Sequence, residues 1–182
     1  MKGKYLFDAS SIIALAIKRK IDPLLGNCTI ELAGYEIGNY LWKEVNLTKS
    51  LRNDDLPTLE KIFLKLLEAM NIINAWPPST DIIKLAEELN LTYYDAAYLH
   101  QAKRLNLTLV TEDAKLKEKA KKVIEVTTTK GIRLDDGKLT ITPYWRVENP
   151  TEKLASLGDP KRMVTRPEAL EEKIRKGRLR QK

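Results

Sequence analysis

The strongest constraint on this chain is an alternation of two hydrophobic periods. Short stretches with strand character run from Lys4 to Phe7, Thr29 to Ala33, Ile72 to Trp76, Leu107 to Thr111 and Val123 to Val126. Between them lie segments whose apolar residues fall at helical spacing. Asp8-Ala9-Ser10-Ser11 offers capping residues for the apolar run Ile12 to Ile17, which stops at Lys18-Arg19-Lys20. Gly34 is expected to break the second strand, so that a helix opens at Glu36 with Ile37, Leu41, Trp42 and Val45 on one side. Further helices are expected after Pro57 (Leu59, Ile62, Phe63, Leu66, Met70), after Ser79 or Thr80 (Ile82, Leu85, Leu89), through Ala96, Leu99, Ala102 and Leu105, and from Asp113 to Lys122. Strands joined by helices predict an α/β fold with a mainly parallel sheet, because parallel neighbours need a crossover connection.

The 182 residues suit one domain with an appendage. No apolar run reaches the length of a membrane span, and Asp8 interrupts the N-terminus before a signal-peptide core forms, so a cytoplasmic protein is expected. A single cysteine, Cys28, excludes an internal disulfide and a cysteine-based zinc site. A single histidine, His100, excludes the paired-histidine metal motifs, and no nucleophile elbow, Walker A loop or Gly-x-Gly-x-x-Gly is present. Chemistry is therefore left mainly to carboxylates. The net charge of +7 is uneven: residues 1–129 are nearly neutral, whereas residues 130–182 carry 14 basic and 8 acidic side chains. A basic extension suits an anionic partner such as nucleic acid; a solvated, thermostable surface is the plainer reading.

Four acids stand at telling positions. Asp8 and Asp113 follow the first and fourth strands, Glu36 follows the second, and Asp95 lies in the first turn of the helix that Leu91-Thr92-Tyr93-Tyr94-Asp95-Ala96 opens. In parallel sheets ligands bind beyond the carboxyl ends of the strands, so one edge is expected to gather all four. Taken singly, each acid is explained by helix capping or by the helix dipole. Together they would repel one another without a cation, and an all-oxygen site suits Mg2+ or Mn2+. Such a centre can activate water and polarise a phosphoryl oxygen, which is the chemistry of phosphodiester hydrolysis.

Phe7-Asp8-Ala9-Ser10-Ser11, Glu36, Thr92-Tyr93-Tyr94-Asp95-Ala96 and Leu109-Val110-Thr111-Glu112-Asp113 resemble the PIN-domain nucleases, and among them the VapC-like ribonuclease toxins, over about residues 1–128. The resemblance implies a three-layer α/β/α sandwich, Mg2+- or Mn2+-dependent RNA cleavage, an antitoxin protein as a partner and a homodimer. It implies that Asp8, Glu36, Asp95 and Asp113 are the metal-binding and catalytic set, and that the hydroxyls of Ser10 and Thr111 support them. A PIN-fold nuclease acting in RNA processing, and an RNA-binding module that no longer binds metal, are the alternatives.

Other residues carry less. Lys18, Arg19, Lys43 and Lys115 are candidates for holding the RNA backbone, although a solvated lysine is the plain reading of each. Tyr93 and Tyr94 are expected to pack beside their helix start, and Trp42 and Trp76 to lie in the core or an interface. His100, five residues beyond Asp95, points about 140° away from it on a helix and is expected to be structural or solvent-facing. The division expected is a nuclease domain over 1–129 and a basic extension over 130–182 with a hairpin at Arg133 to Ile141 and a helix at Pro167 to Arg175.

Overall fold

The computed structural model describes residues 4–75 and 79–133. Strands β1 (Tyr5–Phe7), β2 (Cys28–Ile30), β3 (Asn71–Ile73), β4 (Thr108–Val110) and β5 (Val126–Thr127) form one sheet in the order β3-β2-β1-β4-β5, and every neighbouring pair is parallel. The helices are α1 (Ala9–Ile17), α2 (Leu32–Asn46), α3 (Leu56–Glu68), α4 (Thr80–Leu89), α5 (Tyr93–Leu105) and α6 (Ala114–Ala120). Leaving β1 the chain moves outward to β2 and β3, and leaving β4 it moves the opposite way to β5. Right-handed crossovers in opposite directions put their helices on opposite faces of the sheet, which makes the expected three-layer sandwich. They also make the junction between β1 and β4 the switch point of the topology, where a crevice opens beyond the carboxyl ends of the strands.

The strands are short, and the three at the centre of the sheet draw their stability from burial, while β3 at the edge is largely exposed. Leu6 and Phe7 of β1, Ile30 of β2, and Leu109 and Val110 of β4 are all fully enclosed, with Leu6 opposite both Cys28 and Leu109. Apolar residues on both faces of a strand are the mark of a sheet covered on both sides. Cys28 is a buried free thiol, as its lone occurrence suggested. Side chains supply the remaining backbone partners. Asn27 accepts from the Lys4 and Tyr5 N–H groups, and the Thr29 hydroxyl donates to the Phe7 carbonyl at 2.8 Å. Two helices end on left-handed asparagines, Asn90 after α4 and Asn106 after α5. Asparagine tolerates that conformation and lets the chain turn at once into the next element.

Three boundaries differ from the sequence reading. Gly34 does not break the second strand. It lies inside α2, which begins at Leu32 directly after Glu31, while the Glu31 carboxylate accepts the Ala75 N–H. Glu36 consequently sits in the second turn of α2 rather than the first. The last strand is Val126–Thr127, because Val123 and Ile124 complete a turn on the Ala120 carbonyl at the end of α6. The third strand is Asn71–Ile73; Trp76, Pro77 and Pro78 lie outside the described residues, as do the expected terminal helix and all but the first residue of the expected hairpin. Trp42 is 52% exposed and so takes no part in the core, while Tyr93 is half-buried and Tyr94 exposed beside it.

β1 is the middle strand, so truncation there is expected to damage the whole sheet. Leu6→Ala should cost about 2–5 kcal/mol, the range for deleting a fully buried leucine side chain, read as a lowered urea midpoint with an unchanged slope.

Candidate functional site

Asp8 is the residue immediately after β1, and its backbone N–H still bonds the Val110 carbonyl of β4. It caps α1, accepting the Ser11 N–H at 2.8 Å. Two hydroxyls complete its shell: Ser10 reaches both carboxylate oxygens at 2.8 and 2.9 Å, and Thr111, just past β4, donates at 2.5 Å. The same hydroxyls accept in turn. Thr111 takes the Asp113 N–H and Ser10 takes the Glu112 N–H, each at 3.0 Å, so the loop after β4 is tied to the start of α1. Ser11, read from the sequence only as a capping residue, adds a buried hydroxyl within reach of the Asp8 and Val110 carbonyls. Asp8 is 5% exposed, and burial pushes its carboxyl up to about 6 despite the three donating residues.

Glu36 approaches from α2. Tyr98 of α5 donates its hydroxyl to Glu36 Oε2 at 2.7 Å. Burial raises the Glu36 carboxyl to about 7; the Tyr98 bond opposes that rise, while the negative charges of Asp8 and Asp95 add to it. Asp95 lies in the first turn of α5, where Thr92 caps the helix by accepting the Asp95 N–H at 3.1 Å. Thr92 and Asp95 have the three-residue spacing of a capping box. Burial raises the Asp95 carboxyl, Asp113 raises it further, and Lys115 draws it down. Asp113 caps α6 by accepting the Leu116 N–H at 2.8 Å.

All four acids thus lie on the crevice edge in an electrostatic chain in which Asp8 acts on Glu36, Glu36 feels Asp95, and Asp95 feels Asp113. Capping accounts for the places of Asp8, Asp95 and Asp113 but not of Glu36. Among the described residues no three histidine, cysteine, aspartate or glutamate side chains converge tightly enough to grip one ion together. The donor set itself is all oxygen, half-buried or buried, and mutually repelling, which is the chemistry that fits a hard divalent cation.

The basic candidates divide. Lys115, exposed in the first turn of α6, acts electrostatically on Asp95. Lys18 and Arg19 stand at the far end of α1, roughly 15 Å along the helix from Asp8 at its usual rise, and Lys43 is in the last turn of α2. They are not brought to the acids. His100 is half-buried, and its Nδ1 has no hydrogen-bond partner among the described residues. Two residues of the edge escaped the sequence reading. Glu112 accepts both the N–H and the hydroxyl of Thr129, anchoring the segment that follows β5, and Tyr98 holds Glu36. Only the spacing of Tyr98 from Asp95, one helical turn, hinted that it faces the same way.

Comparison with known proteins agrees with this arrangement. The PIN domain family model matches residues 5–122. The exonuclease VapC9 of Pyrobaculum aerophilum is 35% identical over 134 residues, covering 70% of this chain and 94% of the relative. The ribonuclease VapC3 of the same organism is 30% identical over 124 residues, covering 64% of this chain and 94% of the relative. Among solved structures, PAE2754 from Pyrobaculum aerophilum superimposes with a TM-score of 0.57 at 35% identity, over 67% of this chain and 83% of that one. The parallel sheet, the acids at its switch point and these similarities lead to one assignment: the chain belongs to the PIN-domain family, among its VapC-like members.

Proposed function

We propose that this PIN-domain protein is a divalent-metal-dependent endoribonuclease and the toxin of a toxin–antitoxin pair, with Asp8, Glu36, Asp95 and Asp113 as its working carboxylates. The observation that carries the reading is the environment of Asp8. A buried carboxylate bound by Ser10, Ser11 and Thr111 and facing further acids is costly to keep ionised unless a cation shares the site. Mg2+ or Mn2+ held there would neutralise the acids, polarise a phosphoryl oxygen and lower the pKa of a water.

The chain's own residues prepare for that. Ser10 and Thr111 fix the orientation of the Asp8 carboxylate, as outer partners of a metal ligand do. Asp95 and Asp113 are held by helix starts, whose dipoles favour the carboxylate form. Glu36, with its carboxyl raised to about 7, is suited to take a proton from an attacking water near neutral pH. Lys115 acts electrostatically on Asp95 and is proposed to draw the substrate's phosphate toward it. The 130–182 extension, with its 14 basic and 8 acidic side chains, adds sequence-independent phosphate affinity in this reading. An antitoxin chain and a second copy of the protein are its proposed partners, and the cytoplasm its proposed compartment.

The lack of three converging ligands among the described residues favours one other reading, a PIN fold that binds RNA without metal. Cleavage assays separate them. Asp8→Asn and Asp95→Asn should each lower RNA cleavage in Mn2+ by at least ~100-fold, as loss of a group that organises such a site does, while both proteins still fold. Wild-type rates in either variant would overturn the metal-dependent reading. Since one relative is named an exonuclease and another a ribonuclease, a covalently closed RNA circle tests the mode of attack. The circle should be opened; an intact circle beside a degraded linear RNA would reassign the protein as an exonuclease.

The raised carboxyls also predict how stability responds to pH. Asp8 moves from 3.8 to about 6 and Glu36 from 4.5 to about 7, so the folded protein keeps protons that the unfolded chain has released. Without metal, stability is therefore highest below about pH 4 as far as these groups are concerned, and falls as pH rises to about 7. The Asp8 share is on the order of 3 kcal/mol. Urea denaturation in a chelator should show that fall, Asp8→Asn should flatten it, and added Mn2+ should restore stability at neutral pH.

A further inference from the structure

Tyr98 is the largest fully buried side chain in the described core, and its hydroxyl ends at the crevice. There the phenol donates to Glu36 Oε2 at 2.7 Å, so that one hydroxyl ties α5 to α2.

The need for such a tie follows from charge. Glu36 is only half-buried, so other rotamers can carry its carboxylate into water. Both desolvation and the repulsion of Asp8 and Asp95 push it that way. A short hydrogen bond to an ionised acceptor is about twice as strong as a neutral one and acts against that push. The phenol itself comes from the core, where packing on every side leaves it no freedom to swing.

We infer that Tyr98 is a positioning residue of the nuclease site: its hydroxyl, held by a ring packed in the core, pins the Glu36 carboxylate at the crevice. The inference rests on the proposed role of that edge as a metal-dependent site. Tyr98 touches neither substrate nor cation in this reading; it acts through Glu36. Phenylalanine would fill the same space, so the hydroxyl rather than the ring carries the role.

The test is a double-mutant cycle read by calorimetric titration with Mn2+ alone. Tyr98→Phe should weaken Mn2+ binding by about tenfold, the scale of one hydrogen bond to a charged group, with the thermal midpoint close to wild type. In a Glu36→Gln background the same change should cost less than about twofold, because the two residues act as a unit. Glu36→Asp, which withdraws the carboxylate from the phenol by one methylene and leaves the core intact, should reproduce the loss. Equal losses in both backgrounds, or no loss where the unsubstituted protein binds Mn2+, would overturn the role. Crystals of metal-free Tyr98→Phe give an independent reading: a displaced Glu36 carboxylate supports it and an unmoved one overturns it. If the unsubstituted protein takes up no Mn2+, the metal reading fails, and the metal-free crystals still decide whether Tyr98 holds Glu36.

Discussion

Most of what is distinctive in this molecule depends on burying the carboxylate of Asp8 at the end of the central strand. An ionised carboxylate enclosed by protein needs donors on its oxygens, because water can no longer supply them. Here they come from two places that the fold must bring together. Ser10 and Ser11 arrive with the first turn of α1, and Thr111 arrives from the end of β4, a hundred residues further along the chain. Pairing β1 with β4 in parallel, with Phe7 opposite Val110, is what sets Thr111 beside Asp8. The polar cluster and the sheet register are thus one constraint. A slip of one residue would turn Thr111 to the other face and leave the carboxylate short of a donor.

The other acids follow from the same topology. Helices that start at the carboxyl edge of the sheet present their N-termini to the crevice, so Asp8 and Asp113 can be caps, and Asp95 a first-turn acid behind the Thr92 cap, while facing the crevice. Glu36 is different. It stands inside α2, no cap explains it, and the charges of Asp8 and Asp95 oppose it. Its place is held by a phenol that reaches out of the core. An edge built this way concentrates negative charge; among the described residues, Lys115 is a basic side chain that acts on it, through Asp95. In a PIN-domain protein that arrangement makes sense as a seat for an external cation, which offsets the charge only when the site is loaded.

Several elements were legible because they depend on neighbours in sequence. The alternation of apolar strands with amphipathic helices required a parallel sheet, and the acids after the strands required a common edge. The stretch Leu91 to Ala96 showed a helix start with Asp95 in its first turn. The misplaced boundaries have local causes as well. Gly34 looked like a breaker, but nothing near it demands a left-handed turn, and a Cβ there would meet only Leu67 at ordinary contact distance. The start of α2 is settled instead by Glu31, whose carboxylate is used on the Ala75 N–H across the sheet edge.

What the sequence alone determined is the class of fold and that Asp8 ends the first strand with hydroxyls at Ser10 and Thr111 to meet it, since these follow from periodicity, from capping chemistry and from a resemblance carried by short segments. Tertiary structure decided which side chains act on those acids. Glu36 and Tyr98 are 62 residues apart, Glu112 and Thr129 are 17 apart, and no local pattern announces either bond. It also decided that Lys115 lies at the acids while Lys18 and Arg19 stand at the other end of α1. Charge in a sequence has a sign but no location. Location comes from the direction in which each helix leaves its strand, and only packing on the sheet sets that.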